Sequence, residues 1–111
     1  MDHLALRVTD QERARRFYET YCGFGARPAH RYDDDTLMLY DAEGFSLALG
    51  VRGFEPHFGI GLADADAVRA MARRLAADGV EIVEQWDEPD YVSVKCRDPD
   101  DHIVEFSWET T

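Results

Sequence analysis

Positive charge is scarce in this chain. It carries 12 Lys and Arg against 23 Asp and Glu, a formal net charge of −11 over 111 residues. Nucleic-acid binding needs a basic face against phosphate, so that class of partner is excluded. Docking on an anionic membrane is excluded for the same reason. Long apolar runs are also missing, and none approaches the ~18 residues of a membrane span. No basic and apolar leader precedes the first strand-like segment, so no signal peptide is expected and the expected location is cytoplasmic. Cysteine is limited to Cys22 and Cys96, far apart and outside any metal-binding pair, which excludes a disulfide-framework fold. There is no glycine-rich phosphate loop and no Ser-His-Asp or Cys-His arrangement with supporting local sequence. An enzyme or a small binding protein remains, with 45% hydrophobic residues to build a core.

An internal repeat is present. Residues 3–10 read His-Leu-Ala-Leu-Arg-Val-Thr-Asp, and residues 57–64 read His-Phe-Gly-Ile-Gly-Leu-Ala-Asp. Each is a His, then large apolar residues at every second position, then Asp. Ala14, Phe17, Tyr18 and Tyr21 follow in the first copy, and Val68, Met71, Ala72 and Leu75 in the second. That i, i+3, i+4, i+7 spacing marks one face of an amphipathic helix. Thr9 with Glu12 makes a capping box for the first helix, and Asp64 caps the second. Gly23 and Gly79 mark the helix ends. Further along, Asp41–Gly44 and Asp98–Asp101 are turns, each flanked by strands. The predicted strands are 36–40 and 45–49 in the first half, 91–97 and 103–107 in the second, with shorter ones near 26–32 and 81–85. Each half therefore reads strand, helix, strand, strand, strand. The expected fold is α+β: two tandem βαβββ modules, 1–50 and 55–111, joined by 51–54 in one domain, with curved sheets around a shared cavity.

Strand alternation assigns the side chains to faces. Leu4, Leu6 and Val8 pack on the first helix, so His3, Ala5 and Arg7 oppose it. Phe58, Ile60 and Leu62 pack on the second, so His57, Gly59 and Gly61 oppose it. Val104 and Phe106 place Glu105 and Ser107 on the opposing face, and the repeat equivalent of Glu105 is Ala48. With the sheets curved around one cavity, His3, His57 and Glu105 converge. Two imidazoles and a carboxylate with open positions suit one divalent metal ion: Fe, Mn, Ni or Zn. Val92, Val94 and Cys96 form an apolar set, so Tyr91, Ser93 and Lys95 line the cavity with Arg7. Met38 and Tyr40 supply apolar walls. Cys96 is a buried, inert thiol, and Trp86 and Trp108 belong to the core or to a subunit contact. The acidic triplet Asp33–Asp35 is a solvated hairpin loop, and His102 is a solvated turn residue.

Several of these segments, in order, resemble the vicinal oxygen chelate superfamily, which includes glyoxalase I, extradiol dioxygenases, fosfomycin-resistance transferases, methylmalonyl-CoA epimerase and bleomycin-resistance proteins. The segments are His3–Asp10, Arg16-Phe17-Tyr18, Gly23-Phe24, His57–Leu62, Ala76–Val80 and Asp98–Glu105. The last looks like the family's Asp-Pro-Asp-Gly-X-X-X-Glu, with Asp101 in the Gly place. The resemblance implies that His3, His57 and Glu105 fall on three of the four metal positions. It also implies a homodimer. Ala48 stands where glyoxalase I has a glutamate, which counts against glyoxalase I itself.

Two functions follow as expectations. The first is a metal-dependent enzyme of the isomerase, lyase, transferase or dioxygenase type, acting on a small oxygen-bearing substrate. Glu105 and Tyr91 are its catalytic candidates, and Arg7, Met38, Tyr40, Ser93 and Lys95 its substrate-binding candidates. The second is a metal-free protein that sequesters a cationic small molecule, which the acidic balance favours.

Overall fold

Apolar residues at every second position give each half of the chain strands with one face for a helix to cover. The computed structural model describes residues 1–110. It divides into two units, Met1–Pro56 and the part from His57 onward. The first holds β1 (His3–Arg7), α1 (Gln11–Cys22), β2 (His30–Arg31), β3 (Leu37–Tyr40) and β4 (Ser46–Gly50). The second holds β5 (His57–Gly61), α2 (Ala65–Ala77), β6 (Ile82–Glu88), β7 (Tyr91–Arg97) and β8 (Ile103–Glu109). Both are βαβββ modules, as the repeat predicts.

In the first unit the strands run β2-β3-β4-β1. β1 and β4 are parallel, and the other neighbours are antiparallel. Leu37, Leu39, Leu47 and Leu49 form the buried centre, against which Leu4, Leu6, Val8, Ala14 and Tyr18 pack. Alternation then leaves His3, Ala5, Arg7, Met38, Tyr40, Ser46 and Ala48 on the face away from α1.

The second unit repeats the plan as β5-β8-β7-β6, again with its first and last strands parallel. Val68, Val92 and Val94 are its buried centre, flanked by Leu62, Ala72, Leu75, Ile82, Phe106 and Trp108. The face away from α2 carries His57, Gly59, Tyr91, Ser93, Lys95, Glu105 and Ser107. Trp108 is thus a core residue. Trp86, expected in a core or contact, instead stands 49% exposed and donates its indole N–H to Glu84.

The helix starts show one difference from the sequence reading. The N-cap of α1 is Asp10, whose carboxylate accepts from the Arg13 amide, rather than Thr9 in a capping box. An ionised acceptor at a helix N-terminus also gains from the helix dipole, which a hydroxyl does not. Asp64 caps α2 in the same way through the Ala67 amide, as expected. Gly23 takes the left-handed conformation that ends α1.

Paired aspartates build the two hairpin turns. Asp41 Oδ1 accepts from the amides of Glu43 and Phe45, and Asp98 Oδ1 accepts from those of Asp100 and His102. Each turn needs one left-handed residue: Gly44 at φ 90° in the first, Asp101 at φ 68° in the second. A side chain there costs about 1–2 kcal/mol, and glycine returns part of that as unfolded-state entropy. Asp101→Gly is therefore expected to raise stability by about 0.5–1 kcal/mol, read as a higher urea midpoint.

Candidate metal centre

Strand pairing explains how the second unit presents its polar residues. In the parallel β5–β8 pair, Gly59 lies opposite Glu105. Glycine there puts no side chain beside the carboxylate. In β7–β8, Lys95 lies opposite Glu105 and Ser93 opposite Ser107. Tyr91, Ser93, Lys95 and Glu105 therefore share one face, as alternation predicts.

Glu105 is only 3% exposed. An ionised carboxylate at that depth is costly unless hydrogen-bonded. Its two oxygens have different partners. Oε2 accepts from the Tyr91 hydroxyl and from the Ser93 hydroxyl, the latter at 2.5 Å. Oε1 lies 3.3 Å from His57 Nε2. Two donors on one first-row metal ion, each ~2.1 Å from it and at right angles, are themselves ~3.0 Å apart. The His57–Glu105 separation is close to that value. Burial first, and then the Glu105 charge, raise the Tyr91 phenol well above its ordinary pKa, so Tyr91 stays protonated and donates.

In the first unit, His3 opens β1 at the place where His57 opens β5. Its Nδ1 lies 2.8 Å from Asp2 Oδ1. A carboxylate on one ring nitrogen of a histidine orients the ring and leaves Nε2 as the ligating atom. The strand register also confirms the repeat equivalence of Ala48 and Glu105: Ala5 pairs with Ala48 as Gly59 pairs with Glu105. The first unit thus offers an imidazole and no carboxylate at that position. His57 Nε2 and Glu105 Oε1 in the second unit, and the His3 ring oriented by Asp2 in the first, are each of the donor types that a divalent metal ion takes.

The other candidates fall as follows. Arg7 is exposed at the end of β1 and has no ion-pair partner among the described residues. Met38 and Tyr40 are half-buried on β3, opposite Ala48 and Ser46, and Tyr40 carries the Arg27 guanidinium over its ring at 4.7 Å. Lys95 gives its charge to Glu84 at 3.2 Å. Burial works against ionisation of Glu84, but the Trp86 hydrogen bond and Lys95 outweigh it and lower its pKa. The sequence reading missed this pair. A register shift between Ile82 and Glu84 brings Glu84 opposite Lys95, and strict alternation along β6 does not reveal it. It also missed Asp2, whose signal was its place directly before a candidate ligand. Cys96 is buried and its thiol pKa is raised, first by burial, which fits an inert side chain. His102 is exposed in its turn with Asp98 at 3.1 Å, and Asp33–Asp35 is exposed loop.

Residues 1–106 match the family model described as Glyoxalase/Bleomycin resistance protein/Dioxygenase superfamily. The uncharacterized protein PA2024 of Pseudomonas aeruginosa is 34% identical over 124 residues, spanning 97% of this chain and 87% of that one. Among solved structures, the methylmalonyl-CoA epimerase of Streptomyces coelicolor aligns at TM-score 0.65 and 18% identity, covering 100% of this chain and 97% of the other. A glyoxalase/bleomycin resistance protein/dioxygenase superfamily member of Vibrio splendidus aligns at 0.65 and 17%, covering 96% of each chain. A Legionella pneumophila protein described as an NAD-dependent benzaldehyde dehydrogenase aligns at 0.68 and 13%, covering 97% and 98%. These structural likenesses concern the fold.

Proposed function

The chain belongs to the glyoxalase/bleomycin resistance protein/dioxygenase superfamily, and from that premise we propose that it is an enzyme holding one divalent cation on His3, His57 and Glu105. The observation that carries the reading is the buried Glu105 carboxylate, with one oxygen beside His57 Nε2 and the other occupied by two hydroxyls. Asp2 behind His3 supports it, because such a partner fixes a ligating imidazole. The reading is the same whether the three ligands meet within one chain or across the two copies of a homodimer.

Two imidazoles and one carboxylate leave open coordination positions for substrate oxygens. When bound, the ion supplies Lewis-acid polarisation of a substrate oxygen. The chain's own residues do the rest. Arg7 attracts an anionic or oxyanion-bearing substrate, whereas the charge of Lys95, the other cationic candidate, is met by Glu84 at 3.2 Å. Met38 and Tyr40 give apolar walls. Buried Glu105 holds negative charge near the reacting atoms, and the protonated Tyr91 phenol donates to its Oε2. Ala48 removes the fourth protein ligand, which favours a substrate that contributes two oxygens. The epimerase relative adds the isomerase type to the reaction classes to assay first. The intact donor set supports this reading over a metal-free protein that sequesters a cationic molecule.

Linkage gives a test that needs no substrate. A cation bound only by the folded chain stabilises it by RT ln(1 + [L]/Kd), about 4 kcal/mol at a thousandfold excess over Kd. Melting the metal-free protein with and without Mn, Fe, Ni or Zn is expected to show a shift of several degrees for at least one ion. His57→Ala is expected to lose that shift. Equal melting of the wild type with and without every ion contradicts the proposal.

A further inference from the structure

We propose that Tyr91 and Ser93 are positioning residues that lock Glu105 into one-oxygen coordination, and so set how many positions on the cation stay open for substrate. The inference rests on the metal reading above and deepens it. A carboxylate can bind a cation through one oxygen or both, and the second mode uses a position that substrate needs. Here Oε2 is already the acceptor of two hydroxyls, while Oε1 faces His57. Ser93 is 2% exposed, so its hydroxyl is committed to the carboxylate rather than to a ligand in solution. Hydrogen bonds to an ionised acceptor are the strong kind, and two of them on one oxygen hold the carboxylate plane in place.

The contrast between the two units supports the assignment. In register, Lys95 against Glu105 corresponds to Met38 against Ala48. The same correspondence sets Ser93 against Thr36 and Tyr91 against Asp34. In the first unit these positions precede β3, which begins only at Leu37, and Asp34 turns back to accept from the Thr36 amide. In the second unit β7 begins at Tyr91, three positions earlier in register, and extends alongside β8. The longer strand therefore occurs in the unit that has a carboxylate to hold, and its added residues carry the two hydroxyls. Val92 and Val94 anchor that strand in the core between them, so the hydroxyls are aimed by a rigid element.

The test uses the full chain and Co(II) alone as probe, with Tyr91→Phe, Ser93→Ala, the double variant and Ser93→Thr. Far-UV circular dichroism and melting of the metal-free forms establish that each is folded. The double variant is expected to bind Co(II) about 10–100-fold more weakly. Its visible spectrum is expected to shift as Glu105 turns to offer both oxygens. Ser93→Thr, which restores the hydroxyl, is expected to recover most of the affinity and the wild-type spectrum. A folded double variant with wild-type affinity and an unchanged spectrum overturns the positioning role and leaves the metal reading standing. Failure of the wild type itself to bind Co(II) overturns both.

Discussion

Glu105→Gln is expected to abolish stoichiometric metal uptake while the metal-free protein stays folded and at least as stable as the wild type. The two halves of this expectation have separate causes. Glutamine keeps the shape of the side chain, and its carbonyl oxygen can still accept from Tyr91 and Ser93. Its amide nitrogen then takes the place of Oε1 and donates to His57 Nε2. What disappears is a charge at 3% exposure, whose desolvation costs several kcal/mol in the absence of a cation. The neutral amide is a poor ligand for a divalent ion, so affinity falls by more than the 10–100-fold typical of a lost supporting contact. Metal titration reads the first half, and urea denaturation of the metal-free protein reads the second. A Gln variant that is several kcal/mol less stable and still binds metal would show Glu105 to be structural.

Leu39→Ala is expected to lower stability by about 2–5 kcal/mol. Leu39 is fully buried among Leu37, Leu47 and Leu49. That cluster is small, so the cavity has few neighbours able to close it. For a chain of this size the loss corresponds to a fall in melting temperature on the order of 10–20 °C. The consequence for function is indirect. The same packing holds β4 against β1, the strand that begins with His3. Metal uptake at a temperature where the variant remains folded is expected to stay near the wild-type value. Uptake lost while circular dichroism stays native would place the effect on the site rather than on stability.

The fold was legible because the repeat is a physical pattern as well as a textual one. His3 and His57 open equivalent strands, and a helix follows each at the same distance, but of the predicted face of α1 only Ala14 and Tyr18 pack on the core while Phe17 and Tyr21 stand exposed. The core face of β7 was readable from Val92 and Val94, and with it the common face of Tyr91, Ser93 and Glu105. What each polar side chain does on that face was less legible. Alternation says that Ser93 and Glu105 point the same way, but only their diagonal placement across β7–β8 makes one the donor to the other. Lys95 shows the same limit. Its partner sits on β6, beyond a register shift that depends on local backbone geometry rather than on residue type. At the start of α1, Thr9 and Asp10 both suit a cap, and the structure shows that it is the Asp10 carboxylate that accepts from the Arg13 amide.

The central claim is that one divalent cation is held by His3, His57 and Glu105. Elemental analysis of the purified full chain after reconstitution tests it most directly, with His57→Ala and Glu105→Gln measured beside it. Close to one equivalent of Fe, Mn, Ni or Zn is expected in the wild type and none in either folded variant. No bound metal in a folded wild type, or the same metal content in all three, would contradict it.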